Sequence, residues 1–80
     1  MKFKYFELWD IGTWHESPSV PVLYKGRIPV ALAMSPENAL STLSSFAREH
    51  EIPVKGCLDV CALKGKPTGD KYIRVHAPGQ

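Results

Sequence analysis

Apolar residues between positions 36 and 50 fall at spacings of three and four. Ala39, Leu40, Leu43, Phe46 and Ala47 form one stripe, and Ser41, Ser44, Ser45 and Arg48 lie away from it. That period predicts an amphipathic helix from about Pro36 to His50. Its start is marked by Ser35 as a cap, Pro36 at the first helical position and Glu37 at the positive end of the helix dipole. Its end is set by Pro53, which excludes Ile52 from helical backbone and stops the helix by about Glu51. No other stretch carries a helical period.

The remaining segments read as strands. KFKYFELWDI is rich in aromatic residues, and its alternation puts Phe3, Tyr5 and Trp9 on one face, read as the core face, with Lys2 and Lys4 on the other. VPVLYKGRIPVALAM reads as two short strands turning at Lys25 and Gly26. A strict two-residue loop there would set Tyr24 opposite Arg27 and Pro29 opposite Val22. Proline has no N–H to give such a ladder, so the hairpin is expected to be short, bulged or at an edge. After the helix, Leu58, Val60 and Ala62 alternate with Cys57, Asp59 and Cys61. KYIRVH supplies a last strand with Ile73 and Val75 facing the core. KGKPTGD is read as the connection between two antiparallel strands. The order is then β-β-β-α-β-β. The fold class it predicts is α+β, an antiparallel sheet of four to five strands with the one helix packed on one face.

Composition changes this picture little. The chain has 80 residues, enough for a single domain over 1–80 with one core. It is 44% hydrophobic and 22% charged, in the range of an ordinary globular domain. The net charge of +2 is too small to mark a nucleic-acid binder by itself, and it argues against an acidic mimic of DNA. No apolar run is long enough to cross a membrane, and MKFKYFELWD lacks the features of a signal peptide. The expected location is the cytoplasm, with thiols reduced and no membrane partner.

Candidate chemistry is sparse. Cys57 and Cys61 stand four apart in GCLDVCALKG. On a strand, a rise of about 3.3 Å per residue separates their Cα atoms by roughly 13 Å, beyond the roughly 7 Å limit of a disulfide and too far to share one metal ion. The spacing is also not that of redox or zinc motifs, so the cysteines are read as small apolar side chains packed near the sheet. His15 beside Glu16, and His50 between Glu49 and Glu51, are sequence neighbours that point in different directions and are read as solvated. GKPTG lacks the Ser or Thr directly after its lysine, and the earlier glycine, that a phosphate loop requires. No nucleophile elbow, paired carboxylate or zinc-protease pattern is present. The expectation is a protein that is not an enzyme, with no catalytic residues, no cofactor and no metal.

What is left is surface. With Ile73 and Val75 inward, Tyr72, Arg74 and His76 share the outer face of the last strand. Lys64, Lys66 and Lys71 belong to the loop before it. Trp14, in the polar loop GTWHESPS, is expected to be a further exposed aromatic. These seven are the candidate partner-binding residues, since Tyr, Trp and Arg are enriched where proteins bind one another.

In size, in strands followed by a Ser-Pro-capped amphipathic helix and a closing pair of strands, and in lacking a catalytic motif, the chain resembles the small phage-encoded anti-CRISPR proteins. The likeness covers the layout of the whole chain and rests on no motif, so no residue role is carried over. It implies inhibition of a host protein complex, a CRISPR effector, by stoichiometric binding in the host cytoplasm. Two other readings stand beside it. One is a nucleic-acid-binding module in which Lys64, Lys66, Lys71 and Arg74 touch phosphates and Tyr72 stacks on a base, set against Asp59 and Asp70 nearby. The other is an antitoxin-like domain that binds a toxin protein.

Overall fold

The computed structural model describes residues 2–13 and 18–77. It contains strands β1 (Lys4–Asp10), β2 (Val20–Pro21) and β3 (Ile28–Ala33), helix α1 (Pro36–Glu49), and strands β4 (Leu58–Ala62) and β5 (Tyr72–Arg74). The fold class is the expected one, α+β with helix α1 packed on a five-stranded sheet among the described residues.

The sheet is organised around β1. Phe6 lies opposite Ala31 of β3 on one edge and opposite Ala62 of β4 on the other. Further along, Trp9 lies between Pro21 of β2 and Asp59 of β4. β2 and β3 therefore follow one another along the same edge of β1, and β4 occupies the other edge. β5 adds to the far side of β3 in parallel, with Ile28, Pro29 and Val30 opposite Tyr72, Ile73 and Arg74. The sheet is thus mixed, not wholly antiparallel. β4 and β5 do not pair, because they lie at opposite edges and run in the same direction.

The expected hairpin is resolved in the same way. Tyr24 and Arg27 exchange two backbone bonds of 2.7 and 3.0 Å. Between them Lys25 (φ 51°) and Gly26 (φ 79°) make the doubly positive turn of a tight hairpin. Its flanks, however, pair with β1 and not with each other. Val22 donates to Leu8 at 3.0 Å, and the next residue of β1, Glu7, faces Val30. Residues 23–29 are looped out between these two pairings. Pro29 sits in the excursion, before the first residue that pairs with β1. Its missing N–H leaves no gap in the ladder, and its ring is fully buried.

Both ends of α1 are closed by local chemistry. Ser35 Oγ accepts from the Asn38 N–H at 3.1 Å, and Pro36 opens the helix. At the other end Ile52 N donates to Ala47 O (2.9 Å) and Glu51 N to Arg48 O (3.2 Å), the paired bonds of a Schellman motif, with Glu51 at φ 52° in the position glycine usually takes. Leu43 and Ala47 are buried against Leu8, Val22 and Ala31, while Ala39 packs against Phe6 and Ala33.

Phe6, Leu8 and Asp10 are thus the helix-covered positions of β1, and Tyr5, Glu7 and Trp9 face the other way. This reverses the expected core face of the strand. Apolar side chains alternate on both faces of β1, and the helix lies over Phe6 and Leu8. Phe3 is 53% exposed, and Tyr5 and Trp9 are half-buried. The cysteines are a second correction. Both are free and exposed, not packed, because their parity on β4 is opposite to that of Leu58 and Val60, which meet the core. The strand reading that separates them holds, since Cys61 lies in β4 and Cys57 O accepts from Ile11 N at 2.8 Å in the same ladder.

Candidate functional site

The face of the sheet opposite α1 is crossed by the chain itself. β4 ends at one edge and β5 begins at the other, so residues 63–71 must span the sheet. Leu63 N bonds Tyr5 O at 2.8 Å where this strap leaves β4. Pro67 in its middle is buried, and its carbonyl accepts from Arg74 Nη2 at 3.4 Å. The Arg74 guanidinium carbon stands 5.5 Å from the centre of the Tyr5 ring. Under this cover Val30 is wholly shielded. At the far end of β1, Trp9 Nε1 donates to Glu7 Oε1 at 2.9 Å, which satisfies both groups locally.

Beyond the strap, at the Phe3 end, the cover stops. Phe3, Leu32 and Met34 are 53%, 42% and 47% exposed. They adjoin one another around a hollow of about 290 Å³ whose other wall is the N-terminal half of α1 at Asn38, Ser41 and Thr42. Phe3 and Leu32 also floor a larger open groove of about 740 Å³, together with Tyr5 and Leu63. Its rim carries Lys64 and Lys66, and Lys4 borders it. Sequence alternation contains a signal for this surface. In PVALAM the small Ala31 and Ala33 face the helix, where only small side chains leave it room, so the large Leu32 and Met34 face outward.

The candidate residues divide accordingly. Tyr72 and Arg74 alternate on β5 with Ile73 between them, and His76 follows just beyond the strand. Arg74 and His76 line a small cavity with Tyr5, Val30 and Leu32, next to the groove. Lys64 and Lys66 join them at the groove. Lys71 does not: its carbonyl accepts from Ile28 N at the start of β3, four residues or roughly 13 Å from Leu32. Tyr72, half-buried opposite Ile28, belongs to that distant end as well. Trp14 lies outside the described residues, as do His15 and Glu16. His50 is not simply solvated, since its ring centre is 4.3 Å from that of Phe46 and 4.8 Å from that of Tyr24.

One buried charge escaped the sequence reading. Asp10 is 8% exposed at the end of β1, under the helix side of the sheet. Its Oδ1 accepts from Gly12 N (2.9 Å) and Gly56 N (3.1 Å), and its Oδ2 from Lys55 N (2.8 Å). These bonds, led by that of Gly12, hold its carboxyl below the ordinary carboxylate value against the opposing effect of burial. The Asp-Ile-Gly spacing was a signal for the first bond. The other two come from residues 45 and 46 positions away. Each of these bonds comes from a backbone N–H, so Asp10 is a clamp between two loops. Among the described residues, no three His, Cys, Asp or Glu side chains converge as metal ligands would, and no helix is long and apolar enough to cross a membrane.

The chain matches no family model, no curated protein and no solved structure.

Proposed function

We propose that the protein acts by binding and not by chemistry: it attaches in stoichiometric amount to a protein surface of a host defence complex, in the manner of the anti-CRISPR proteins its layout resembles, and blocks that complex in the host cytoplasm. The observation that carries this reading is the contiguous exposed surface of Phe3, Leu32 and Met34 beside the lysine-rimmed groove. Large apolar side chains that lie together in the open, bordered by charge, are what a protein interface uses. Of the residues expected from sequence, Lys64, Lys66, Arg74 and His76 adjoin this surface, whereas Tyr72 and Lys71 lie at the other end of β3.

Nucleic acid is the weaker partner for this surface. A single strand is held by bases stacked on open aromatic faces beside a basic track. Here Tyr5 already carries Arg74 across its ring, Tyr72 lies away from Lys64 and Lys66, and the groove floor includes Leu32 and Leu63, which stack on nothing.

The test is a titration of an effector complex purified from the host. Target cleavage should fall in proportion to added protein and end at one equivalent per binding site. Catalytic loss of effector activity, or full activity at a large excess of the protein, would contradict the reading.

A further inference from the structure

We infer that the groove beside Phe3 receives an acidic, apolar peptide segment of the partner protein. The inference rests on the proposed binding role and names the chemistry recognised there. Its ground is the match the groove asks for. Among the described residues that line it are Lys64 and Lys66, with Lys4 bordering it from the helix-facing parity of β1, and not one carboxylate. Glu7, on the neighbouring position of the same face, is held by Trp9. The floor is Phe3, Leu32 and Leu63, with Tyr5 at its inner end where Arg74 closes it. An apolar side chain seated on Phe3 and Leu32 would bring its neighbours on an extended peptide to the rim, and only carboxylates there are complementary to the two ammonium groups of Lys64 and Lys66. The segment therefore alternates or mixes Asp and Glu with large apolar residues. A phosphate backbone offers the same charge but no side chain for the aliphatic floor.

A random-peptide display library panned on the intact protein at physiological salt, followed by fluorescence anisotropy with the strongest peptide synthesised, tests this. Enriched sequences should carry net negative charge and at least two large apolar residues. Lys64→Glu combined with Lys66→Glu should weaken the peptide by at least about tenfold, while Lys71→Glu, at the other end of the sheet, should change it by less than about twofold. Circular dichroism melts of the three proteins should coincide, since all three lysines are exposed. Enrichment of neutral or basic sequences, no enrichment, indifference to the double variant, or tighter binding of an oligothymidylate than of the selected peptide would each overturn the inference. A host complex that survives the double lysine change but is lost in Leu32→Glu would overturn it while leaving the binding role standing. Loss of neither complex would remove both.

Discussion

Asp10 and Gly56, 46 positions apart in sequence, are joined by a 3.1 Å hydrogen bond from the glycine N–H to the carboxylate. The Gly12 and Lys55 N–H groups complete the set, so one buried side chain fixes both the exit of β1 and the entry to β4. Asp10→Asn keeps the shape but turns one acceptor into a donor facing a backbone N–H. It should cost about 2–3 kcal/mol in chemical denaturation, as for a hydrogen-bonded buried charge.

The same clamp sets an acid limb. Because Asp10 titrates below its ordinary value of 3.8, the stability it contributes is complete above that value and is lost as pH falls through the folded-state pKa. Stability measured from neutral pH downward should decline in that window. The decline should be shallower in Asp10→Asn, which has no proton to take up there.

Gly56 is also a matter of space. A Cβ on it would overlap the backbone of Gly12, which sits at φ 78° and cannot swing aside as a side chain would. Gly56→Ala should therefore destabilise by at least about 2–3 kcal/mol. Gly65→Ala, where nothing lies within 4 Å, should stay within about 0.5 kcal/mol of the parent. Thermal melts of the two variants side by side check this.

Glu51 occupies the left-handed position of the helix C-cap and places a negative charge at the negative end of α1. Glu51→Gly relieves both, offset by the entropy glycine brings to the unfolded chain. A gain of about 0.5–1 kcal/mol is expected, read as a rise in melting temperature.

Arg74 is exposed, yet it ties the strap to the sheet through Pro67 and Tyr5. Arg74→Ala should cost about 0.5–1 kcal/mol and speed amide exchange in residues 63–71, with little change in α1. Unchanged exchange in the strap would show that the arginine does not hold it.

The parts of this fold legible in sequence are those decided by near neighbours. Ser35, Pro36 and Pro53 act within a few positions of themselves, and α1 lies where they place it. The turn at Lys25 and Gly26 is local in the same sense. Which strands meet is decided at a distance. The pairing of β5 with β3, parallel and across the sheet from β4, depends on where residues 63–71 cross, and no local pattern records that. The faces of β1 were ambiguous for a related reason: Tyr5 and Trp9 against Phe6 and Leu8 is an even contest until the helix has taken its side. Of the candidate site, Lys64, Lys66, Arg74 and His76 were visible from alternation and charge. Phe3, Leu32 and Met34 were not, because an apolar residue on a strand reads as core until the other layer is known to stop short of it.

The most direct test of the central claim is co-purification of the tagged protein from its host, parent against Leu32→Glu, with matched melting temperatures confirmed beforehand. Leu32 is 42% exposed on a strand whose inward neighbours Ala31 and Ala33 are untouched, so the fold should persist while a charge stands in the middle of the proposed interface. The parent should retain one partner complex in stoichiometric amount, and Leu32→Glu should lose it. Retention of the same complex by Leu32→Glu at equal yield would contradict the claim that this surface does the binding.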